Sequence, residues 1–246
     1  MCNLIAVVSG KGGTGKTSFT ANVGLALSVL GQRTLCLDCD IAMRNLDLAL
    51  GLSDRAMMDF SDVAEGRCSL QDAVVTREKY PYFGFLSAPL CDNSILDVSA
   101  RQVRGMVNSI RSAYDFCLID APAGIGLGFQ LALGMADSVI LVTTAEVSSL
   151  RDAQRTAMEL SSFSTERVHL VVNRLDERLL YALRMTLDDA IDAAGLPLLG
   201  VIPEDRDIAF AMNRGIPVRE YSYLANRPYD NIAKRLTGRR VPLLKL

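Results

Sequence analysis

The chain has 246 residues, 50% of them hydrophobic and 22% charged, and its formal net charge is −2. That length and apolar content allow a sizeable core, and the near balance of charges favours neither nucleic acid nor an anionic surface as a partner. The apolar run nearest the N-terminus, residues 4–8, is too short for a secretory signal or a membrane span, so we expect a cytoplasmic protein.

Short apolar runs alternate with segments of helical periodicity along the chain. The predicted strands, in chain order, are residues 4–8, 34–37, 83–86, 116–119, 139–142, 168–172 and 198–202. The predicted helices are residues 18–30, 99–113, 148–161, 179–194, 207–213 and 229–236. This alternation indicates an α/β fold with a mostly parallel central sheet and helices on both faces. We find no linker or repeat that would divide the chain, so we expect a single domain over residues 1–246.

A glycine-rich loop follows the first predicted strand. Residues 10–17 read Gly-Lys-Gly-Gly-Thr-Gly-Lys-Thr and fit the phosphate-loop pattern Gly-x-x-x-x-Gly-Lys-Ser/Thr. In such a loop the backbone N–H groups surround phosphates, Lys16 reaches the β- and γ-phosphates, and Thr17 ligates Mg²⁺. The helix that follows adds the positive charge of its N-terminus. We therefore predict a P-loop NTPase whose nucleotide site contains Gly10, Lys11, Gly12, Gly13, Thr14, Gly15, Lys16, Thr17 and Ser18.

Aspartates follow two further predicted strands. Asp120 comes directly after residues 116–119, while Asp38 and Asp40 follow residues 34–37. Because ligands of open α/β sheets bind beyond the carboxyl ends of the strands, we expect these carboxylates to face the phosphate loop. Asp120 is predicted to hold the magnesium shell, as in phosphate-loop NTPases. Of Asp38 and Asp40, one could polarise the attacking water while the other is structural.

Several sequence blocks, in order over nearly the whole chain, resemble one family. They are Lys11 within the phosphate loop, Asp-Cys-Asp-Ile at 38–41 followed by Arg-Asn-Leu-Asp-Leu at 44–48, Asp-Ala-Pro-Ala-Gly-Ile at 120–125, Glu-Val-Ser-Ser-Leu-Arg-Asp at 146–152, and Val-Ile-Pro-Glu-Asp at 201–205. The chain resembles the MinD family of bacterial division-site ATPases, which belong to the MinD/ParA ATPases with a deviant Walker A loop. The block at 44–48 separates MinD-like proteins from most of their relatives.

The resemblance implies a Mg²⁺-dependent ATP hydrolase that binds ATP and ADP. Two subunits would sandwich two ATP molecules, and Lys11 of each would cross to the phosphates of the other. Asp40 would orient the attacking water, with Asn45 in the same segment. The implied metal set is Thr17, Asp40 and Asp120. The implied adenine contacts are Asn173, Pro203, Glu204 and Asp205, although a helix cap or turn is an alternative role for Asn173.

The resemblance also implies a patch that binds a division-regulator protein, formed by Glu146, Ser148, Ser149 and Asp152. The alternative is an exposed helix start in which Ser148 or Ser149 is the N-cap. Two positions depart from the family pattern. Gly126 stands where the family usually has Glu, and Gln154 stands where the best-known members carry a carboxylate. These departures affect the contacts of the dimer and of the partner patch.

The C-terminal tail, residues 237–246, resembles the segment that leads to an amphipathic membrane helix in the family. Only four residues follow Pro242, so we expect no evident amphipathic anchor and at most weak peripheral association with the membrane. The alternative is that the short tail itself binds anionic lipid.

The cysteines and the single histidine have simpler interpretations. Six scattered cysteines fit a reducing compartment, and Cys36 and Cys39, three apart on a strand, should point to opposite faces of the sheet rather than share a metal. His169 lies in an apolar run and is expected to be packed or at a sheet edge.

Taken with the resemblance, these features favour an ATP-dependent dimerising switch that positions the division septum. Two alternatives are related positioning ATPases, a flagellar-number regulator and a chromosome-partition ATPase, and a third, from a different class, is an iron–sulfur carrier. The first needs an N-terminal extension, the second a basic surface, and the third paired cysteines late in the chain. The sequence shows none of these features. A non-hydrolysing nucleotide-binding scaffold stays open because of Gly126.

Overall fold

The computed structural model describes residues 2–53, 55–90, 98–184 and 186–243. Within these ranges the strands are β1 (Asn3–Val8), β2 (Thr34–Asp38), β3 (Val75–Arg77), β4 (Tyr80–Leu86), β5 (Phe116–Asp120), β6 (Ser138–Thr143), β7 (Val168–Leu175) and β8 (Leu198–Pro203). They form one sheet in the order β3-β4-β2-β5-β1-β6-β7-β8, and only the edge pair β3–β4 is antiparallel. The predicted mostly parallel sheet is confirmed. Strand β3 was not predicted, because three residues are too few to show a period.

The helices of the described residues are α1 (Lys16–Val29), α2 (Leu46–Leu50), α3 (Phe60–Ala64), α4 (Leu70–Ala73), α5 (Ala100–Ala113), α6 (Leu127–Met135), α7 (Val147–Glu159), α8 (Glu177–Leu183), α9 (Leu187–Ala194), α10 (Arg206–Asn213), α11 (Val218–Tyr221) and α12 (Tyr223–Leu236). None of them combines the length and the apolar character that a bilayer span requires. Helix α6 escaped prediction because its apolar residues and two glycines leave no polar stripe.

The prediction of one continuous helix over 179–194 was wrong. The segment divides into α8 and α9, since Arg184 takes a left-handed conformation (φ 53°) and ends α8. Thr186 then begins α9 through a capping box in which its side chain accepts from the backbone N–H of Asp189, while the Asp189 carboxylate accepts from that of Thr186. The sequence carried this signal, because a Thr three residues before an acidic residue is a helix start.

Both faces of the sheet are covered by helices, as predicted. Alternate residues of β1 point to opposite sides: Leu4 joins the core under α5, α6 and α7, whereas Ile5 joins the core under α1 and α12. The same alternation sends Cys36 and Cys39 to different faces, so the two thiols do not meet. Burial raises the pKa of both thiols, which act as small apolar side chains. His169 lies half-buried on β7.

The order of strands reverses at β1, which lies between β5 and β6. In open α/β sheets a ligand site forms at such a reversal, beyond the carboxyl ends of the strands. Here that edge gathers the loop after β1 and the residues that follow β2, β5, β6, β7 and β8. The register pairs Asp38 of β2 with Asp120 of β5, so the two predicted carboxylates are neighbours.

The C-terminal tail follows α12. The Arg235 side chain donates to the backbone oxygens of Leu199, Val241 and Pro242, and so holds the first part of the tail against β8. The last residues of the predicted tail, 244–246, lie outside the described residues, as does Cys91.

Candidate nucleotide-binding site

The phosphate loop, residues 10–17, is open toward solvent at its backbone amides. Gly13 (φ 79°) and Gly15 (φ 93°) take left-handed conformations that turn the chain into the start of α1. Among the described residues, the N–H groups of Gly12, Gly13 and Gly15 meet no protein acceptor. Unpaired amides in front of a helix N-terminus form an anion site, so the loop has the geometry of a phosphate cradle.

Lys16 lies inside the site. Lys16 is 8% exposed, and its Nζ donates to Ser9 Oγ at 2.9 Å. Burial lowers the pKa of Lys16, while the nearby charges of Asp120 and Asp40 oppose that shift. Ser9 Oγ in turn donates to the backbone oxygen of Lys11 at 2.7 Å, which fixes the start of the loop. The ammonium group is thus held in place before any ligand arrives.

Asp120 is placed next to the start of α1. It accepts from Thr17 Oγ1 at 2.7 Å and from Thr20 Oγ1 at 3.1 Å. Burial raises its pKa to about 6, and burial followed by the charge of Asp120 raises the pKa of Asp38 well above its usual range. The Asp120 carboxylate and the Thr17 hydroxyl are hard oxygen donors of the kind that Mg²⁺ prefers, so they fit this metal.

The two aspartates after β2 have different settings. Asp38 is buried, and its Oδ1 accepts from the backbone N–H of Asp40 at 2.8 Å. Asp40 is only half-buried, and its Oδ1 accepts from Met43 N at 3.2 Å. Asp38 therefore holds the turn, while the Asp40 carboxylate stays partly open to solvent. Asn45 is exposed at the start of α2 and makes no cap with its side chain.

Lys11 points away from the interior of the loop. Its side chain is 45% exposed, with Nζ 3.5 Å from Glu146 Oε2 and 3.3 Å from Ser148 Oγ. These partners precede and begin α7. The two lysines of the phosphate loop are thus separated, since Lys16 is buried and Lys11 lies at the mouth.

The predicted partner patch is only partly exposed. Glu146 and Ser148 lie on the surface and Asp152 is half-buried, but Ser149 is 3% exposed and lines the cleft beside the phosphate loop. Ser149 therefore does not belong to an exposed patch, because the turn at the start of α7 directs it inward. The serine-cap alternative was also wrong, since the N-cap of α7 is Glu146 and no side chain caps it.

Asn173 is in contact with the phosphate loop. Its Nδ2 donates to the backbone oxygen of Thr14 at 2.7 Å, and the residue is 5% exposed. The helix-cap alternative for Asn173 was wrong, because it lies within β7 and Asp176 caps α8. Its contact with adenine stays a prediction.

Two adjoining clefts accompany the loop. A cleft of about 370 Å³ borders the phosphate side and is lined by Lys11, Gly12, Gly13, Thr14, Thr144, Glu146 and Arg174, among others. A second cleft, of about 190 Å³, is lined by Gly15, Ser18, Asn173, Pro203, Glu204, Asp205 and Met212, among others. The residues predicted to contact the base therefore lie together, in the cleft beside the phosphate cradle.

Sequence reasoning missed several residues of this site. Ser9, Thr144 and Arg174 lie in strand-end segments but were given no role, and Thr20 was not singled out, although it lies three residues after Thr17 on the same face of α1. The hydroxyls of Thr14 and Thr144 are buried without a hydrogen-bond partner among the described residues. Buried hydroxyls without partners are costly, and both line the phosphate-side cleft, which fits a phosphate ligand.

A phosphate cradle before a helix, a strand-end aspartate bonded to the loop threonine, and a base-sized cleft define a P-loop nucleotide-binding protein. Residues 5–218 match the family model described as the CobQ/CobB/MinD/ParA nucleotide binding domain. The chain belongs to the MinD family of these deviant Walker A ATPases.

Relatives of this family match the chain over nearly its full length. The septum site-determining protein MinD of Synechocystis is 37% identical over 248 residues, which cover 99% of this chain and 92% of the relative. The protein of the same name from Bacillus subtilis is 37% identical over 246 residues, with the same coverage.

Solved structures agree with this assignment. MinD in the MinC:MinD cell division complex of Aquifex aeolicus has a TM-score of 0.89 and 35% identity, and 99% of each chain is covered. MinD of Pyrococcus horikoshii, complexed with Mg-ADP, has a TM-score of 0.82 and 32% identity, and 96% of each chain is covered.

Proposed function

We propose that this chain is a Mg²⁺-dependent ATP hydrolase that dimerises when ATP is bound and acts as a switch in the choice of the division site. The main support for this proposal is that the two lysines of the phosphate loop lie apart. Lys16 is buried and suited to the phosphates of its own nucleotide, whereas Lys11 is exposed at the mouth. A self-contained phosphate loop has no role for an exposed second lysine.

Different residues of the site bind the phosphates, hold the metal and orient the attacking water. The free amides of the loop and the Lys16 ammonium hold the β- and γ-phosphates, and Thr17 and Asp120, with Asp40 nearby, would hold Mg²⁺. Bound Mg²⁺ neutralises phosphate charge during transfer. Asp40 orients the attacking water with its open carboxylate edge, which lowers the barrier by placing the reactants in line.

Dimerisation requires Lys11 to exchange partners. In the single chain it is held by Glu146 and Ser148, both partly solvated, so the contact is weak enough to release. Exposed apolar side chains follow β2 and β5, namely Met43 and Ile125 on the two loops and Leu127 at the start of α6. Burying them against a second copy would favour a face-to-face dimer in which Lys11 meets the phosphates across the interface.

A regulator protein is proposed to bind near the start of α7. The Aquifex aeolicus relative was crystallised with MinC, which supports a division-regulator partner. Glu146, Ser148 and Asp152 are the candidate contacts on this chain, with Gln154 exposed on the same helix. Because Glu146 and Ser148 also hold Lys11, a regulator at this surface would act directly on the lysine that the dimer needs.

The deciding experiment measures ATP turnover and light scattering together, with and without anionic lipid vesicles. We expect a monomer with ADP and a dimer with ATP. Lys11→Ala should bind nucleotide normally but neither dimerise nor hydrolyse ATP at the native rate. Lys79→Ala, which removes an exposed lysine on the turn between β3 and β4, is the matched control and should behave as the native chain. If Lys11→Ala dimerises and turns over ATP like the native chain, the cross-subunit role of Lys11 is wrong.

A non-hydrolysing nucleotide-binding scaffold is the second candidate. Gly126 favours it, because this residue precedes α6 and offers no side chain where the family pattern has a carboxylate. ATP-dependent dimerisation without phosphate release in the same assay would select the scaffold.

A further inference from the structure

The turn that follows β2, residues 40–44, closes on Asp40 and ends in a strained residue. The backbone N–H of Arg44 donates to the Asp40 backbone oxygen at 2.8 Å, and the Asp40 carboxylate accepts from the backbone N–H of Met43 at 3.2 Å. Arg44 takes a left-handed conformation, with φ 42°. This conformation is unfavourable for a residue with a Cβ, so a further contact is needed to hold Arg44 in it.

The Arg44 side chain makes that contact. Its Nη2 donates to Ser87 Oγ at 2.8 Å, although the two residues are 43 positions apart in sequence. Strands β2 and β4 are neighbours in the sheet, and their register pairs Leu37 with Leu86. Ser87 comes directly after Leu86, so it lies at the level where the turn leaves β2. The hydrogen bond therefore ties the end of the turn to the neighbouring strand.

Ser87 is a fixed acceptor for the arginine. The residue is 2% exposed, and its backbone oxygen accepts from the N–H of Phe60, the first residue of α3, at 3.0 Å. Its Oγ donates to the backbone oxygen of Ala88 at 3.1 Å. Because that bond uses the hydroxyl hydrogen, the oxygen lone pairs are left for the guanidinium group. A buried serine with these bonds can hold the arginine in one place.

We propose that Arg44 is a positioning residue for hydrolysis, which holds the 40–44 turn against Ser87 and so keeps the Asp40 carboxylate where it can orient water. This inference rests on the proposed hydrolase function. The start of the turn is already held, since the backbone N–H of Asp40 donates to Asp38 Oδ1 at 2.8 Å. The Arg44 contact holds the other end. Displacing a group that orients a reactant slows the chemical step, and it need not weaken substrate binding.

Ser87→Ala is the central test, because it removes the acceptor and leaves Arg44 in place. Ser87 is not among the residues that line the two clefts beside the phosphate loop. We expect single-turnover ATP hydrolysis to slow about ten-fold, with the affinity for ATP unchanged in calorimetry. Arg44→Gly should have the same effect, because glycine adopts the left-handed conformation but has no side chain. Arg101→Ala, which removes an exposed arginine on α5, is the matched control and should hydrolyse ATP at the native rate.

Two further measurements separate positioning from a general loss of structure. In the Asp40→Ala background, Ser87→Ala should slow hydrolysis no further, because the contact acts through Asp40. Guanidinium chloride at millimolar concentration should restore part of the turnover of Arg44→Gly, since the free ion can occupy the place of the lost side chain. It should restore none of the turnover of Ser87→Ala, in which the arginine is present. Sodium chloride at the same concentrations controls for ionic strength.

Three outcomes would contradict the proposal. Native turnover in Ser87→Ala, or a loss that multiplies with the loss in Asp40→Ala, would overturn the positioning role. Weaker ATP binding by Arg44→Gly would make Arg44 a phosphate ligand and would overturn that role as well. A native chain that bound ATP but released no phosphate would instead contradict the proposed hydrolase, and the role of Arg44 with it, so this failure is distinct from the first two.

Discussion

The carboxylates at the two ends of the central sheet lie in opposite electrostatic settings. At the carboxyl end, Asp38 and Asp120 are buried side by side, and burial raises the pKa of both. At the amino end, Asp137 accepts from Arg111 Nη1 at 2.9 Å, from Nη2 at 2.7 Å and from Leu4 N at 3.0 Å. Burial acts to raise the pKa of Asp137, but the Arg111 contacts and the Leu4 amide outweigh it and hold the pKa below its usual range.

This difference indicates that the carboxylate at the amino end serves stability and that those at the carboxyl end serve function. The Arg111 pair satisfies the charge of Asp137, so ionisation there favours the folded chain. The groups that favour the ionised form of Asp120 are the hydroxyls of Thr17 and Thr20 and the Lys16 ammonium, and they do not offset its burial, so its ionisation in the free chain is costly. Carboxylates with raised pKa values in a cleft mark a functional site. The carboxyl end is thus arranged for a cation that the amino end does not need.

The largest expected effect is at Lys16. Lys16→Ala should lower the affinity for ADP by about 100-fold or more, because a fixed positive charge against the phosphates is lost. Calorimetry measures this directly, and Lys11→Ala is the matched lysine control, expected to retain binding. If Lys16→Ala bound ADP with native affinity, the nucleotide site would not lie at the carboxyl end of the sheet.

Asp120→Asn should separate activity from stability. We expect ATP turnover to fall about 100-fold and to lose its Mg²⁺ dependence, because a metal ligand is replaced by a neutral amide. Without nucleotide, the variant should melt no lower than the native chain at pH 7.5.

The raised pKa of Asp120 determines how the stability difference between Asp120→Asn and the native chain changes with pH. The free-energy cost of its ionisation grows as pH rises from the ordinary carboxyl pKa of about 4 through the folded value of about 6. Any stability advantage of Asp120→Asn should therefore disappear below about pH 4. Thermal melts at several pH values check this, and a variant that melts well below the native chain at pH 7.5 would contradict it.

Asp40→Ala is expected to have a smaller and purely kinetic effect. Turnover should fall about ten-fold or more while nucleotide affinity and the ATP dimer persist, because a water-orienting group contributes mainly in the transition state. Single-turnover hydrolysis and calorimetry together measure it. Weaker binding with unchanged turnover per bound ATP would make Asp40 a binding residue instead.

The smallest effect is expected at the amino end. Asp137→Asn should leave ATP turnover unchanged and lower the free energy of unfolding by about 1 kcal/mol, a shift of a few degrees in Tm, because the pair is part-exposed and screened. The lowered pKa means that this stabilisation is present above the ordinary carboxyl range and is lost as pH falls through the folded value. A loss of turnover would show that the two ends are coupled.

The sequence by itself determined the parts of this protein that depend on neighbours along the chain. The apolar runs located seven of the strands, because strands buried on both faces are apolar throughout. The glycines and Lys16 of the phosphate loop, with Asp120 at a strand end, were predicted from local patterns. The structure brings Thr17 and Asp120 into hydrogen-bond contact.

Only the tertiary structure decided the roles that depend on contacts between distant segments. It determined that Asp38 is enclosed while Asp40 stays partly exposed, that Ser149 faces the cleft, and that the Asn173 amide of β7 meets Thr14 in the loop after β1. No periodicity or spacing encodes these outcomes. They follow from the order of strands in the sheet, which brings side chains together according to where β1, β6 and β7 lie and not according to their distance in sequence.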